Sequence, residues 1–296
     1  MVCRKAFAPL ANLRRDGGAV PGEEVFRAPR ALVFDSGLGG LTVLGEIRKL
    51  RPDVDIVYVA DDEAFPYGRL GEAELVARVE TVMAWAIAGF SPDIVVIACS
   101  TASTLALPRL RAAYPQPFVG VVPAIKPAAE ASRSGRISVL ATRGTVARDY
   151  TQALVRDHAA NCEVTLVGSA ALAPIAERAM RGEAVDDDDI AREIAPCFVE
   201  AAGRRTDHVV LACTHFPLLI GALERLAPWE VAFVDPAPAI ARRLDSLLGA
   251  RSRGDATGAG AMIFTSGAEP QPSLQKALLR YGLKFTPTAV IGRTPA

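Results

Sequence analysis

The chain has 296 residues, 50% of them hydrophobic and 22% charged, with 33 Lys+Arg balanced by 33 Asp+Glu. This length suffices for two domains and the composition for a large buried core. The balanced charge argues against a nucleic-acid or anionic-membrane surface as the main business, and no apolar run reaches the roughly 18–20 residues of a membrane helix.

Met1 to Arg15 holds Arg4, Lys5, Arg14 and Arg15 and no acid. Targeting peptides read somewhat like this, but the stretch that follows has glycines, acids and prolines instead of an apolar core. Residues 1–30 are therefore read as a disordered extension ahead of the fold, and the protein as cytoplasmic. Ala31 to Asp35 is a short apolar strand closed by the turn Asp35-Ser36-Gly37-Leu38-Gly39-Gly40. Leu41, Leu44, Ile47 and Leu50 then recur at helical spacing. Gly-x-Gly-Gly is neither the dinucleotide fingerprint nor a P-loop. What remains is a set of N–H groups at a helix start, which suits a carboxylate as well as a phosphate; Asp35 itself reads as a strand-end cap or a site acid.

Asp55 to Ala60 is a second strand, followed by a turn through Pro66-Tyr67-Gly68 and a helix over Glu72 to Ala88. The third strand ends in Asp93-Ile-Val-Val-Ile-Ala-Cys99-Ser100-Thr101, with a helix predicted from Ser103 or Thr104. Phe118 to Val122 is the fourth strand. The pattern then restarts: a helix over Ile125 to Ala131, a strand over Arg136 to Ala141, and a hydroxyl-rich turn Thr142-Arg143-Gly144-Thr145. One helix to about Ala160, a strand over Glu163 to Val167 and a helix around Glu177 follow. Asp186 to Asp189 is read as an exposed helix start favoured by the macrodipole, not a metal site. Asp207-His-Val-Val-Leu-Ala-Cys213-Thr214-His215 repeats the frame of the Cys99 strand as D-x-V-V-x-A-C-[ST]. Its helix is Phe216 to Leu226, and strands ending near Asp235 and over Met262 to Ser266, with a helix from Ser273 to Tyr281, complete the chain.

Strands alternating with helices predict an α/β protein of two similar domains, each a mostly parallel sheet flanked by helices. Their facing strand ends would form a cleft with Cys99 on one wall and Cys213 on the other, where open α/β sheets bind ligands. The five cysteines (Cys3, Cys99, Cys162, Cys197, Cys213) lack CxxC spacing and fit free thiols in a reducing compartment. The three histidines give no zinc-ligand spacing.

Two facing thiols have three uses. A hydrolytic nucleophile with His215 as base would leave Cys99 without a purpose. Redox dithiols usually lie close in sequence. Proton transfer uses both: one thiolate removes a proton from a carbon and the other thiol returns one to the opposite face, inverting the centre. A thiol's reference pKa near 8.5 suits either role, with His215 and Asp35 as nearby charges and the donors of Ser36–Gly40, Ser100–Thr101, Thr142–Thr145 and Thr214 for the developing anion. No lysine marks a pyridoxal phosphate site, so the expected chemistry needs no cofactor and no metal.

Asp35-Ser-Gly-Leu-Gly-Gly-Leu, Pro66-Tyr-Gly, Ala98-Cys-Ser-Thr-Ala-Ser and Ala212-Cys-Thr-His-Phe-Pro-Leu-Leu resemble, in order and spacing, the signature segments of the bacterial glutamate racemase family. The resemblance runs from about Ala31 to Thr286. It implies cofactor-independent interconversion of L- and D-glutamate, supplying D-glutamate for peptidoglycan. It places the catalytic cysteines at Cys99 and Cys213 and the assisting residues at Asp35, His215 and Glu177. Substrate contacts would fall on Asp35, Ser36, Tyr67, Gly68, Ser100, Thr101, Thr142, Thr145, Thr214 and His215. The family layout further implies a first domain of residues 31–122 plus 235–286 and a second of 123–234, and is compatible with a homodimer. The sequence departs from the family at Ser100, where Asn is usual, and before Glu177, where Gly168-Ser-Ala-Ala-Leu replaces a frequent Cys-Pro. An aspartate racemase is the alternative within the class; modulation of DNA gyrase, associated with some members, is the alternative outside it.

Overall fold

The structure is a computed structural model describing residues 28–250 and 257–288; residues 1–27 of the expected extension lie outside it. In chain order the first elements are β1 (Arg30–Asp35), α1 (Leu41–Leu50), β2 (Asp55–Ala60), α2 (Glu72–Phe90), β3 (Ile94–Ile97), α3 (Ser100–Ala113) and β4 (Phe118–Gly120). Next come α4 (Ile125–Ala131), β5 (Arg136–Thr142), α5 (Arg143–Val146), α6 (Asp149–His158), β6 (Glu163–Ser169), α7 (Leu172–Met180) and α8 (Asp187–Ile194). A small antiparallel hairpin, β7 (Glu200–Ala201) and β8 (Arg204–Arg205), precedes β9 (His208–Leu211), α9 (Ile220–Leu226) and β10 (Ala232–Val234). The chain ends in α10 (Ala237–Leu248), β11 (Gly260–Phe264), α11 (Pro272–Leu279) and β12 (Lys284–Phe285).

Two parallel sheets result. The first has the order β12-β11-β2-β1-β3-β4 and the second β10-β9-β5-β6. Stripped of β11 and β12, the first reads β2-β1-β3-β4 and the second β6-β5-β9-β10. The predicted restart is thus a repeated topology in which chain order reverses about the first strand of each sheet. Both faces of each sheet are covered, which is why the strands are continuous apolar runs. In the first sheet Val33, Tyr58 and Val96 face α1 and α10, while Phe34, Val59 and Ile97 face α2 and α3. In the second, Leu140 and Leu211 face α7 and α8, and Val139 and Val210 face α4 and α6.

Helix α10 follows the last strand of the second sheet yet buries Ile240, Ala241 and Leu244 against the first. A buried guanidinium fixes it there: Arg51, at the end of α1, bonds Asp53 at 2.9 and 2.8 Å and reaches Asp245 of α10 at 3.3 Å. A buried charge is tolerated only when so paired.

Several boundaries differ from expectation. Helix α3 starts at Ser100, not Ser103, because Cys99 already occupies the extended residue ahead of the helix. Arg30 belongs to β1, and its N–H donates to Asp93 at 2.8 Å. The single helix expected to Ala160 is two, α5 and α6. Thr142 caps α5 by accepting from the Thr145 N–H, and Arg148 sits in extended conformation before α6. Asp186 does cap an exposed helix start, accepting from the Asp188 N–H. Among the described residues no helix is long and apolar enough to cross a membrane.

Candidate active site

Cys99 and Cys213 each lie two residues beyond the last residue of β3 and β9, the strands beside the first strand of each sheet. Those are the topological switch points. Both thiols are buried and free, and the charge of Cys213 acts on Cys99.

Around Cys99 the surroundings are anionic and dry. Its thiol donates to Ser36 Oγ at 3.7 Å. Burial first, and then the Asp35 carboxylate, push the thiol up to about 12, against opposing hydrogen bonds from the Ala102 N–H and Ser36. Asp35 is itself fully buried at the end of β1, where its carboxylate accepts from the Ser36 N–H at 2.8 Å and the Gly40 N–H at 2.5 Å. Burial raises its pKa, partly offset by the positive charge of His215 and by those two N–H groups. The acid is therefore both the cap of the glycine turn and part of the site.

Around Cys213 the arrangement is cationic. His215 Nδ1 lies 3.9 Å from Cys213 Sγ, and Nε2 lies 2.9 Å from Glu177 Oε1 on α7. Burial works against protonation of the ring, but bonding to Cys213 and Glu177 and the charge of Asp35 overcome it, so His215 titrates well above its ordinary value. Burial likewise opposes ionisation of Glu177. Its bond to His215, that residue's charge, the Leu38 N–H at 2.5 Å and Arg181 at 3.2 Å nevertheless hold it below the usual range. The imidazolium thus gives Nε2–H to Glu177 and turns Nδ1–H to the sulfur. The Gly39 N–H, 3.2 Å from Nε2, is then a close neighbour and not a donor to it.

These contacts explain the glycine turn. A Cβ on Gly37 would collide with the Glu177 carboxylate, one on Gly39 with the His215 ring, and one on Gly40 with Ala98 and the Tyr58 hydroxyl. Gly37 and Gly39 admit side chains of the opposite domain, and Tyr58 OH pins the turn by donating to Gly37 O at 2.9 Å. Three of the expected free N–H groups are engaged by the protein's own carboxylates: Ser36 and Gly40 by Asp35, Leu38 by Glu177.

The segments that carry most of the remaining residues inferred from sequence pack together: the Tyr67–Arg69 turn against α3 and α5, and α3 against α5. Gly68 faces Thr142, whose Cβ is 3.7 Å from where a Gly68 Cβ would stand. Thr142 and Thr145 hydroxyls pair at 2.9 Å. Thr101 and Thr214 are buried beside their cysteines, and their carbonyls accept from Arg148 and Thr42. Ser100 is buried and its hydroxyl has no hydrogen-bond partner among the described residues, which leaves a polar group at the start of α3 open to a ligand. Tyr67 is different. Its hydroxyl donates to the buried Asp61 at 2.5 Å, in a cluster with Arg78 and Thr265 Oγ1, so only its ring and backbone are free to meet a ligand.

Sequence reasoning missed that cluster, and it missed Phe65, whose ring packs 5.5 Å from His215. The Pro-Tyr-Gly turn signal pointed at the segment but not at its partners, which lie in α2 and just beyond the ends of β2 and β11. Among the described residues no His/Cys/Asp/Glu group has the arrangement of a metal site.

Residues 45–244 match the model of the Asp/Glu/hydantoin racemase family. The chain is 51% identical over 271 residues to glutamate racemase of Brucella canis, covering 90% of this chain and 98% of that protein. It is also 51% identical over 263 residues to the Sinorhizobium medicae enzyme, covering 88% and 97%. The crystal structure of Escherichia coli glutamate racemase with L-glutamate and the activator UDP-MurNAc-Ala superposes with a TM-score of 0.81 at 40% identity. That match covers 90% of this chain and all of that one.

Proposed function

The chain belongs to the Asp/Glu/hydantoin racemase family, and from that premise we propose that it interconverts L- and D-glutamate with Cys99 and Cys213 as opposing acid and base. The observation that carries the reading is the pair of buried thiols at the two switch points, Cys99 beside Asp35 and Cys213 beside the His215–Glu177 pair. The Escherichia coli relative holds L-glutamate, which supports glutamate as the substrate here.

In one direction the Cys213 thiolate takes the Cα proton while the Cys99 thiol, which burial keeps protonated, delivers its own to the opposite face. The carbanion's electron pair becomes the new C–H bond. Cys99 is left as thiolate and Cys213 as thiol, the starting state for the reverse direction. His215 places its positive charge beside the Cys213 sulfur, and Glu177 orients the ring. Asp35 faces the Cys99 side, where a proton must be both given and retaken. A carbanion beside a carboxylate needs fixed donors; the unpartnered Ser100 hydroxyl and the Thr101, Thr142, Thr145 and Thr214 groups are of that type. Ser36, Gly68 and the Tyr67 ring complete the proposed substrate walls.

The same proposal assigns residues 31–122 plus 235–286 to the Cys99 domain and 123–234 to the Cys213 domain, supported by sheet membership and by the packing of α10. It includes a cytoplasmic enzyme providing D-glutamate for peptidoglycan, with a homodimer as the expected assembly. The test is incubation with L-glutamate in D2O without pyridoxal phosphate or metal. D-glutamate deuterated at Cα is expected; exchange with aspartate but none with glutamate would overturn the substrate.

A further inference from the structure

The carbonyl groups just after the two cysteines are held in the same way, each by a side chain of the opposite domain. Thr101, two residues after Cys99, accepts from Arg148 Nη1 at 3.2 Å. Thr214, one residue after Cys213, accepts from Thr42 Oγ1 at 3.2 Å, and that hydroxyl also reaches Gly39 O at 2.9 Å. Arg148 precedes α6 beside the second sheet and crosses to α3; Thr42 lies in the first turn of α1 beside the first sheet and crosses to the Cys213 turn. These bonds exist only while the two domains are closed on each other.

The two donors differ in charge. Thr42 is neutral, and the turn it holds already contains a cation in His215. Arg148 is a guanidinium, nearly buried at 11% side-chain exposure, whose one ion-pair partner among the described residues is the exposed Glu72 at 3.7 Å. The turn it holds contains no cation of its own.

We propose that Arg148 and Thr42 are cross-domain positioning residues for the two proton-transfer turns, and that Arg148 gives Cys99 from the opposite domain the positive charge that His215 gives Cys213 from its own. The inference rests on the two-thiol reading above. It explains how a thiol beside a buried carboxylate can serve as a base at all: closure brings a guanidinium to the first turn of the helix that begins behind it. A charge in a dry site acts more strongly than in water, and Cys99 is among the charges that act on Arg148.

The titratable groups facing Cys99 are Asp35 at the end of β1, Tyr58 on β2, Tyr67, Cys213 across the cleft, and Arg148. Arg148 is the cation among these, and removing a positive charge near a thiol disfavours its thiolate whatever the other groups do. The test is the rate of iodoacetamide alkylation of Cys99 against pH, read by peptide mass mapping with Cys213 as internal control, in the full chain. Arg148→Gln should slow Cys99 alkylation at fixed pH by roughly three- to tenfold, equivalent to up to about one pKa unit. Cys213 should change less than twofold, and Arg148→Lys should restore most of the rate. Glu72→Gln, at an exposed position that folding tolerates, should act oppositely and speed Cys99 alkylation about twofold by freeing the guanidinium.

Equal rates at Cys99 in wild type and folded Arg148→Gln would overturn the proposal, as would equal slowing at both cysteines. Should Arg148→Gln fail to fold, Glu72→Gln decides: selective acceleration at Cys99 supports the inference and no change overturns it. Alkylation needs no substrate, so this result is separate from that of the D2O experiment. A wild-type protein that fails to racemise glutamate sinks the function, whereas racemisation with an indifferent Arg148→Gln sinks the inference alone.

Discussion

The two domains carry the same strand order around the same cysteine turn, yet their thiols sit in opposite electrostatic settings. Phe34 pairs with Ile97 and Leu140 with Leu211, so continuing each register sets Ser36 level with Cys99 and Thr142 level with Cys213. Asp35 then corresponds to Ala141. The buried carboxylate belongs to the first half only, and the His215–Glu177 pair to the second only. Repetition of a backbone topology places two thiols; it does not make them alike. The difference is useful in a proton relay, because one thiol must hold a proton while the other has lost it.

Removing either thiol should have the largest effect. Cys99→Ala and Cys213→Ala should each lower racemisation by about 10³-fold or more, measured by circular dichroism of glutamate. Any residual Cα exchange with D2O should be confined to opposite enantiomers in the two variants. Full activity in either one breaks the comparison.

Next come the glycines that admit the second domain's side chains. Gly39→Ala drives a methyl into the stiff His215 ring, and an ångström of misplacement can cost about 10²-fold in rate. Gly37→Ala meets the far end of the flexible Glu177 carboxylate and should cost less. A reversed order in kcat would mean that the Glu177 end of the pair is the more constrained.

Glu177→Gln should lower kcat by ~10- to 100-fold. It also takes from His215 one of the partners that raise its pKa, so the ring loses its proton at lower pH and the alkaline limb of the rate profile moves down. Stability follows by linkage. A lowered folded-state pKa makes Glu177 stabilising above its ordinary value of 4.5, with the contribution lost as pH falls through the folded value. The raised His215 pKa acts inversely: its contribution is full below the unfolded value and is lost as pH rises through the folded one. The gap in Tm between wild type and Glu177→Gln should therefore be widest between these limits and close in acid.

Tyr67→Phe should do least. It deletes one bond to Asp61, which Arg78 and Thr265 still hold. A loss of about 1 kcal/mol, or roughly 2–4 °C in Tm, is expected, with kcat within twofold. A large fall in kcat would return the phenol to the substrate.

Much of this was readable along the chain because parallel sheets buried on both faces leave apolar runs with turns at their ends. The paired frames around Cys99 and Cys213, the Asp35 turn and the restart after Val122 are local patterns of that kind, and a short motif such as Cys-Thr-His keeps His215 beside its thiol whatever the rest of the chain does. Boundaries were less legible: the start of α3 depended on which residue of Cys99-Ser-Thr-Ala-Ser took the cap, and all of them are small or polar.

Bonds between residues distant in sequence were not legible in composition or spacing, and Glu177 entered only through the family resemblance. Glu177 lies 38 residues from His215 and 139 from Leu38, Asp61 is 204 residues from Thr265, and Arg148 is 47 from Thr101. Residue order determined which strands end in thiols and which turns are rich in glycine. Only the closing of one sheet against the other decided which charges those thiols feel, because burial and Coulomb attraction depend on distance through space.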